Sequence, residues 1–165
     1  MIKVFLSHQQ ADTARARQIR DRLLYDHQID SYLDVIDVHL EKSGDDLARH
    51  IQTEIAKCSH LMAITSYNTR NSQWVPWEIG IATERRYPLA TFADYSSAVP
   101  EFLQAWPYLR TLEDVDKYAD AAKSRHRDRN LIKSIAESLA MREQEFNGFY
   151  IDLRQKLGQP IARAR

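Results

Sequence analysis

Residues 60–85 read HLMAITSYNTRNSQWVPWEIGIATER, a predicted strand joined to a predicted helix. His60–Ser66 is almost continuously apolar, which is typical of a strand buried on both faces, as in a parallel sheet. Downstream of this strand, apolar residues recur every three to four positions, the spacing of a helix with a buried face. A strand followed by a helix in this order predicts one βα unit of a parallel sheet.

The predicted helix has a recognisable start. Asn71 or Ser72 can cap its first turn. Pro76 costs little there, because the first backbone N–H groups of a helix have no partner within it. We therefore expect the helix to begin near residue 73.

Glu78 is the only charged residue between Trp74 and Ala82. The i, i+4 spacing places Trp74 and Glu78 one above the other, on a stripe beside the buried face. The positive end of the helix dipole favours the ionised carboxylate, which we expect at neutral pH. Desolvating an unpaired carboxylate is costly, so Glu78 either forms a salt bridge with a Lys or Arg or lines a pocket. Both interpretations are open at this point.

Strands and helices alternate along the rest of the chain. The connections suit crossovers, so right-handed βαβ units are expected. The sequence therefore predicts an α/β fold with a flavodoxin-like, parallel, five-stranded sheet and helices on both faces. The other predicted strands are Ile2–Leu6, Ile29–Leu33, Pro88–Phe92 and a weak fifth strand at Trp106–Leu109. The other predicted helices run from a cap at Asp12 or Thr13 to about Tyr25, from the turn at Gly44–Asp46 to Lys57, and from Leu112 to Lys123.

A parallel sheet of this kind binds its ligands beyond the carboxyl ends of the strands. Several polar residues follow predicted strands and should meet at that edge, together with the start of the Glu78 helix. These residues are Ser7, His8, Asp34, Ser66 and Tyr67, with the loop that leads to Gly44.

Beyond Arg125 the sequence is strongly charged but keeps an apolar stripe at helical spacing, with one slip. We interpret residues 126–165 as a helical extension, one long or broken helix, that follows a domain of residues 1–125. The stripe either packs on that domain or is buried in a second copy of the protein, and both placements are open. Its residues are Leu131, Ile135, Leu139, Phe146, Phe149, Leu153 and Leu157.

The composition describes an ordinary globular protein, with 44% hydrophobic residues in a chain of 165. Lys plus Arg equals Asp plus Glu, 23 against 23, so no global field attracts nucleic acid or an anionic membrane. Cys58 is the single cysteine, which excludes an internal disulfide. The sequence shows no signal peptide and no apolar run long enough to span a membrane, so we expect a cytoplasmic protein.

Several kinds of chemistry are excluded. The four glycines form neither a dinucleotide fingerprint nor a P-loop. The six histidines lack metal-ligand spacing, so no metal site is assigned. A phosphorelay receiver shares the predicted architecture but needs acidic residues after the first strand and an Asp at the end of the third. This chain has Ser7-His8 and Thr65-Ser66 at those places.

Taken together, these segments resemble the Toll/interleukin receptor (TIR) domain family. Any one of them is a weak signal, whereas all of them in the family's order form a specific pattern covering about residues 2–125. The matching segments are Lys3–His8 for the first strand, Tyr32–Asp34 for the second, Gly44–Leu47 for the end of the BB loop, Leu61–Ser66 for the third strand and Trp74–Glu78 for the WxxxE motif.

The resemblance implies roles for individual residues. In catalytic TIR domains the WxxxE glutamate cleaves the nicotinamide–ribose bond of NAD+, which makes Glu78 the expected catalytic residue. NAD+ is then a substrate, and no cofactor is expected. The family pattern places Ser7, His8, Asp34 and Gly44 around the substrate, with residues 35–46 as a lid.

Structural roles compete with these assignments. Ser7 can cap the strand end, Asp34 can cap the loop, and Gly44 can serve only its backbone conformation. His8 stands where the family often has an aromatic residue or Arg. Trp74 either packs against the ribose and nicotinamide or fills the core, and we interpret Trp77 as a packing residue.

Two functions from different classes follow from the resemblance. The first is an NAD+ hydrolase or cyclase whose ADP-ribose product signals to a separate effector, similar to stand-alone bacterial TIR proteins of Thoeris-like antiphage defence. The second is a non-catalytic adaptor that binds other TIR domains. Self-association is expected in either case, because many TIR enzymes need it to complete the pocket. A nucleoside deoxyribosyltransferase, which uses a related sheet and a carboxylate nucleophile, is a third and weaker alternative.

Overall fold

The computed structural model describes residues 1–33, 44–67, 69, 72, 74–96, 98–99, 101–132 and 139–161. Within these ranges, five parallel strands form one sheet in the order β2-β1-β3-β4-β5. This is the flavodoxin-like order and confirms the predicted fold class. The strands are β1 (Lys3–Ser7), β2 (Asp30–Leu33), β3 (His60–Ile64), β4 (Leu89–Phe92) and β5 (Tyr108–Leu109).

Five α-helices cover the two faces of the sheet within the described ranges. They are α1 (Thr13–Asp21), α2 (Gly44–Ala56), α3 (Trp74–Glu84), α4 (Leu112–Ile132) and α5 (Leu139–Leu157). A single 3-10 turn at Gln10–Asp12 precedes α1, and a π-helical turn at Arg22–Asp26 extends it. Another 3-10 turn, Glu101–Ala105, precedes β5. Helix α4 continues past its predicted end at Lys123.

Alternation along β1 divides its side chains between two cores. Val4 and Leu6 join the core shared with α1, α4 and α5. Phe5 faces the other core, which contains the buried residues of α2 and α3. Ser7 shares the face of Phe5, so the last side chain of β1 points toward α3 rather than toward α1.

The predicted buried stripe of α1 is confirmed, whereas the predicted cap is wrong. Ala16, Ile19 and Leu23 are fully buried. Asp12 precedes α1 but makes no capping hydrogen bond. The hydroxyl of Thr13 donates to the Gln10 carbonyl, 2.7 Å away, within the preceding turn.

Helix α5 is part of the core on the α1 and α4 side of the sheet. Phe149 and Leu153, two residues of the C-terminal apolar stripe, are buried there together with Tyr118 of α4. The Tyr150 hydroxyl accepts a hydrogen bond from the Leu89 amide at the start of β4, at 3.1 Å. The division of the chain into residues 1–125 and 126–165 stays a prediction. Within the described ranges, no helix is both long and apolar enough to cross a membrane.

Candidate functional site

The carboxyl edge of β1 brings two of the predicted site residues together. Glu78 lies on the buried side of α3, with only 1% of its surface exposed. Ser7, fully buried at the end of β1, donates a short hydrogen bond to Glu78 Oε2. A strand end and a helix, 71 residues apart in sequence, therefore meet through one hydroxyl and one carboxylate.

The first turn of α3 determines where Glu78 lies. The Val75 amide donates to Ser72 Oγ at 3.3 Å, which confirms Ser72 as a cap of this turn. Pro76 follows in the first turn and is exposed, as its missing N–H allows. Glu78 then comes one turn after Trp74, on the same side of the helix as Val75 and close enough to the helix start for the dipole to favour its ionised form.

Trp74 and Trp77 form an aromatic pair at the start of α3. Their ring centroids lie 5.6 Å apart at an interplanar angle of 82°, an edge-to-face arrangement. Both rings are partly buried and pack against the α2 and α3 core. Packing thus accounts for part of each indole surface, and a substrate contact of Trp74 stays a prediction.

His8 is turned toward the start of α1. Its ring is 2% exposed, with Nδ1 3.0 Å from the Leu6 carbonyl and Nε2 3.4 Å from the hydroxyl of Thr13. Since Nδ1 donates to the carbonyl, the ring is fixed by the backbone of β1. A contact between His8 and substrate stays a prediction.

The remaining predicted site residues belong to the connection between β2 and α2. Asp34 and most of the predicted 35–46 lid lie outside the described residues. Gly44 is the first residue of α2. Their roles around the substrate stay predictions.

The sequence did not predict Asp12 as a site residue, because an Asp immediately before a helix also suits a helix cap. Only 9% of the residue is exposed, and its Oδ2 accepts hydrogen bonds from the hydroxyls of Ser66, at 2.9 Å, and Thr69, at 3.5 Å. Asp12 follows β1 and Ser66 follows β3, and these strands are neighbours in a flavodoxin-like sheet. That adjacency was the available signal for their contact.

A second feature of α3 lies on its outer side, away from Glu78. A largely open groove of about 420 Å³ runs between α2 and α3. Its rim carries the charged side chains of Glu84 and Arg85. The lining residues are Gln52, Trp77, Gly80, Ile81, Glu84 and Arg85.

Two other titratable residues are core components. Burial, and to a smaller extent the charge of His126, lowers the pKa of His60 to about 3, so its imidazole is neutral at physiological pH. Burial raises the pKa of the Cys58 thiol to about 11, which keeps it protonated and unreactive. Among the described residues, no cluster of His, Cys, Asp and Glu could hold a metal ion.

The structure therefore defines a flavodoxin-like α/β protein with a buried, hydroxyl-bound carboxylate at the carboxyl edge of its sheet. Comparison with protein families is more specific, because the sequence model of the TIR domain matches residues 4–129. The chain belongs to the TIR domain family. No curated protein matches the sequence.

Proposed function

We propose that this TIR domain cleaves the nicotinamide–ribose bond of NAD+, with Glu78 as the catalytic residue. The observation that carries the proposal is the hydrogen bond from Ser7 to Glu78 Oε2, which holds a buried carboxylate at the edge of the sheet where ligands bind. Such a group faces developing positive charge without having to reorient.

One carboxylate is sufficient for this reaction. Most glycosidases need a second carboxyl group to protonate the leaving oxygen. In NAD+ the leaving group is already a cationic pyridinium, so the bonding pair moves to its nitrogen and neutral nicotinamide departs. The ribose is left as an oxocarbenium ion, which ionised Glu78 stabilises while accepting hydrogen bonds from ribose hydroxyls. Capture by water with loss of a proton gives ADP-ribose, and capture by a hydroxyl of the same molecule gives a cyclic product.

The other residues of the proposed site orient Glu78 or bind the substrate. The Ser7 hydroxyl donates its hydrogen bond to Glu78 and thereby orients the carboxylate. Trp74, one turn before Glu78, offers an indole face to the ribose and nicotinamide. The resemblance to catalytic TIR domains assigns His8, Asp34 and Gly44 to the substrate side of the pocket and the 35–46 segment to its lid.

The direct test measures nicotinamide release from NAD+ by purified protein over a wide range of protein concentrations, because assembly of several TIR domains completes the pocket. We expect Glu78→Gln and Glu78→Ala to abolish release while circular dichroism stays unchanged. Glu101→Gln, the same change at an exposed residue, serves as the matched control. Turnover by Glu78→Gln at the wild-type rate would show that Glu78 is structural.

The product determines the biological role. In this proposal the domain acts in the cytoplasm in antiphage defence, and an ADP-ribose derivative signals to a separate effector protein. Mass spectrometry of the products from wild type and Glu78→Gln distinguishes linear from cyclic ADP-ribose. Phage plating on bacteria expressing either form, together with neighbouring genes, tests the defence role.

The groove between α2 and α3 favours a second candidate, an adaptor that binds other TIR domains. Trp77 and Ile81 offer partly exposed apolar surface there, as protein interfaces do. A Cβ added at Gly80 would meet no atom of the described residues within 4 Å, so Gly80→Arg should fit the monomer and fill the groove. An adaptor predicts that Gly80→Arg abolishes self-association in light scattering, and that wild type releases no nicotinamide at any concentration.

A further inference from the structure

The carboxylate of Asp12 connects the loop after β1 to the loop after β3. Only 9% of the Asp12 residue is exposed, and Oδ2 accepts hydrogen bonds from the hydroxyls of Ser66 and Thr69. A carboxylate that leaves water loses hydration, and hydrogen bonds from hydroxyl groups compensate for part of that loss. The contacts therefore fix the two loops relative to each other.

The same hydrogen bonds continue to the start of α3. Thr69 Oγ1 accepts from the Ser66 amide at 2.9 Å, and the Thr69 amide donates back to the Ser66 carbonyl at 3.1 Å. The Ser72 amide donates to the Thr69 carbonyl at 3.0 Å. Ser72 in turn accepts from the Val75 amide in the first turn of α3. Asp12 is thus connected, through Ser66, Thr69 and Ser72, to the helix that carries Glu78.

These contacts close a ring. Glu78 returns from α3 to β1 through Ser7, five positions before Asp12 in the sequence. The ring joins the end of β1 to α3 at two places, directly at Ser7 and indirectly at Asp12. A displacement of the start of α3 would need both connections to change.

We propose that Asp12 is a positioning residue, which holds the start of α3 so that Glu78 stays on the Ser7 hydroxyl. The inference rests on the proposed function of Glu78 for its catalytic consequence only. Its structural half, the attachment of α3, is independent of any activity. The placement of Asp12 immediately before α1 does not account for its contacts, because its side chain makes no cap hydrogen bond there.

The test compares Asp12→Ala, Asp12→Asn and the control Asp116→Ala. Asp116 also joins two elements, since it accepts from Arg22 at 2.7 and 2.8 Å and contacts His27 at 2.7 Å, but it connects α4 to the end of the first helix. Loss of either carboxylate removes tertiary hydrogen bonds, and only loss of Asp12 releases α3. Hydrogen exchange of the α3 amides and the kinetics of nicotinamide release are measured for all three variants.

We expect Asp12→Ala to accelerate exchange of the amides in residues 74–79 by about tenfold or more while the α4 amides keep their rate. We expect kcat to fall by about tenfold to a hundredfold with KM little changed, because a displaced catalytic group loses mainly transition-state stabilisation. Asp12→Asn retains an acceptor oxygen for Ser66. Its exchange rate in residues 74–79 and its kcat should therefore be closer to wild type than to Asp12→Ala. Asp116→Ala should leave α3 exchange and kcat near wild type.

The proposal is overturned if Asp12→Ala leaves exchange in residues 74–79 unchanged, accelerates α3 and α4 equally, or lowers kcat no more than Asp116→Ala does. Exchange and kcat in Asp12→Asn that are as impaired as in Asp12→Ala would also contradict it. If wild type releases no nicotinamide, the proposed function fails, and the exchange measurement alone decides whether Asp12 holds α3.

Discussion

At the scale of single residues, the contact between Ser7 and Glu78 makes a specific prediction. Ser7→Ala removes the hydroxyl that orients the carboxylate, and a hydrogen bond to a charged group is worth about 1.5–3 kcal/mol. We therefore expect kcat for nicotinamide release to fall by about 10- to 100-fold. Ser59→Ala is the control, because Ser59 is bonded to Lys3 at the opposite end of β1. Equal kcat values for Ser7→Ala and Ser59→Ala would show that Ser7 does not orient the catalytic carboxylate.

His60 predicts a pH dependence of stability. Its pKa is about 3 in the native protein, against the ordinary histidine value of 6.5 that applies to the unfolded chain. Below pH 6.5 His60 becomes protonated in the unfolded chain but stays neutral in the native protein. Stability is therefore lost as the pH falls from 6.5 toward 3. At pH 5 the free energy of unfolding should be lower by about 2 kcal/mol from this residue alone.

Denaturant unfolding of wild type and His60→Leu at pH 7 and pH 5 measures this effect. The variant should lose about 2 kcal/mol less than wild type between the two pH values, whatever its stability at pH 7. The comparison cancels the contributions of titrating groups that do not interact with His60. Identical pH dependence in both proteins would mean that native His60 takes up the proton.

The sequence indicated some site residues and missed another for a physical reason. Glu78 stood out because a lone carboxylate in an apolar helix needs a partner or a pocket, and Ser7 because it ends a buried strand. Their mutual hydrogen bond requires the Ser7 side chain to lie on the α3 side of β1. Alternation predicts that side only once the limits of the strand are known. Asp12 also fits a helix cap, so its bond to Ser66 became visible only in three dimensions.

At the scale of secondary structure, most elements were predictable to within a few residues. Continuous apolar runs identify β1 and β3, because both faces of a central parallel strand are buried. The fifth strand was predicted from Trp106, but only Tyr108–Leu109 pair with β4. The π-helical turn after α1 has no signal in apolar spacing. The segment that carries Asp34 lies outside the described residues.

Gly80 and Gly158 give a paired prediction about helix stability. Gly80 lies inside α3, where a Cβ would meet no neighbouring atom, so Gly80→Ala should stabilise the protein by about 0.5–1 kcal/mol. Gly158 follows α5 with φ of +65°, a conformation that disfavours Ala, so Gly158→Ala should destabilise it by about 1 kcal/mol. Thermal unfolding measures both changes. A destabilising Gly80→Ala would indicate that a partner or a substrate approaches this helix closely.

At the scale of the whole molecule, the residues after the TIR match complete the fold. The family match ends at residue 129, whereas α5 begins at Leu139. The Gln159 side chain donates to the Tyr108 carbonyl and accepts from the Tyr108 amide, at 3.2 Å, much as a further strand would. It thereby occupies the backbone of β5, an edge strand that would otherwise be open to pairing.

Arg154 attaches the end of α5 to the same edge. Its guanidinium donates to the carbonyls of Gln104 and Ala105 before β5, at 3.1 and 2.8 Å, and to Pro160 at 3.0 Å. Only 6% of the residue is exposed. An apolar stripe at helical spacing predicts a buried helix but does not identify what buries it, which is why both placements of the extension were open. In the structure these contacts are intramolecular: Phe149 packs in the core beside the sheet, whereas Arg154 and Gln159 bind the backbone at the β5 edge.

These contacts lead to a prediction about truncation. A chain ending at Ile132 loses Phe149 and Leu153, each worth about 1.5–3 kcal/mol on burial, and uncovers β5. The combined loss of about 3–6 kcal/mol is a large part of the 5–15 kcal/mol that stabilises a typical domain. We expect this chain to lack a cooperative thermal transition or to aggregate, whereas a chain ending at Ile161 should unfold like the full protein. Phe149→Ala in the full chain tests the same contact without exposing β5 and should cost about 3–5 kcal/mol. If the chain ending at Ile132 unfolds at the same temperature as the full protein, the core formed by the sheet, α1 and α4 is sufficient and α5 is only an attachment to it.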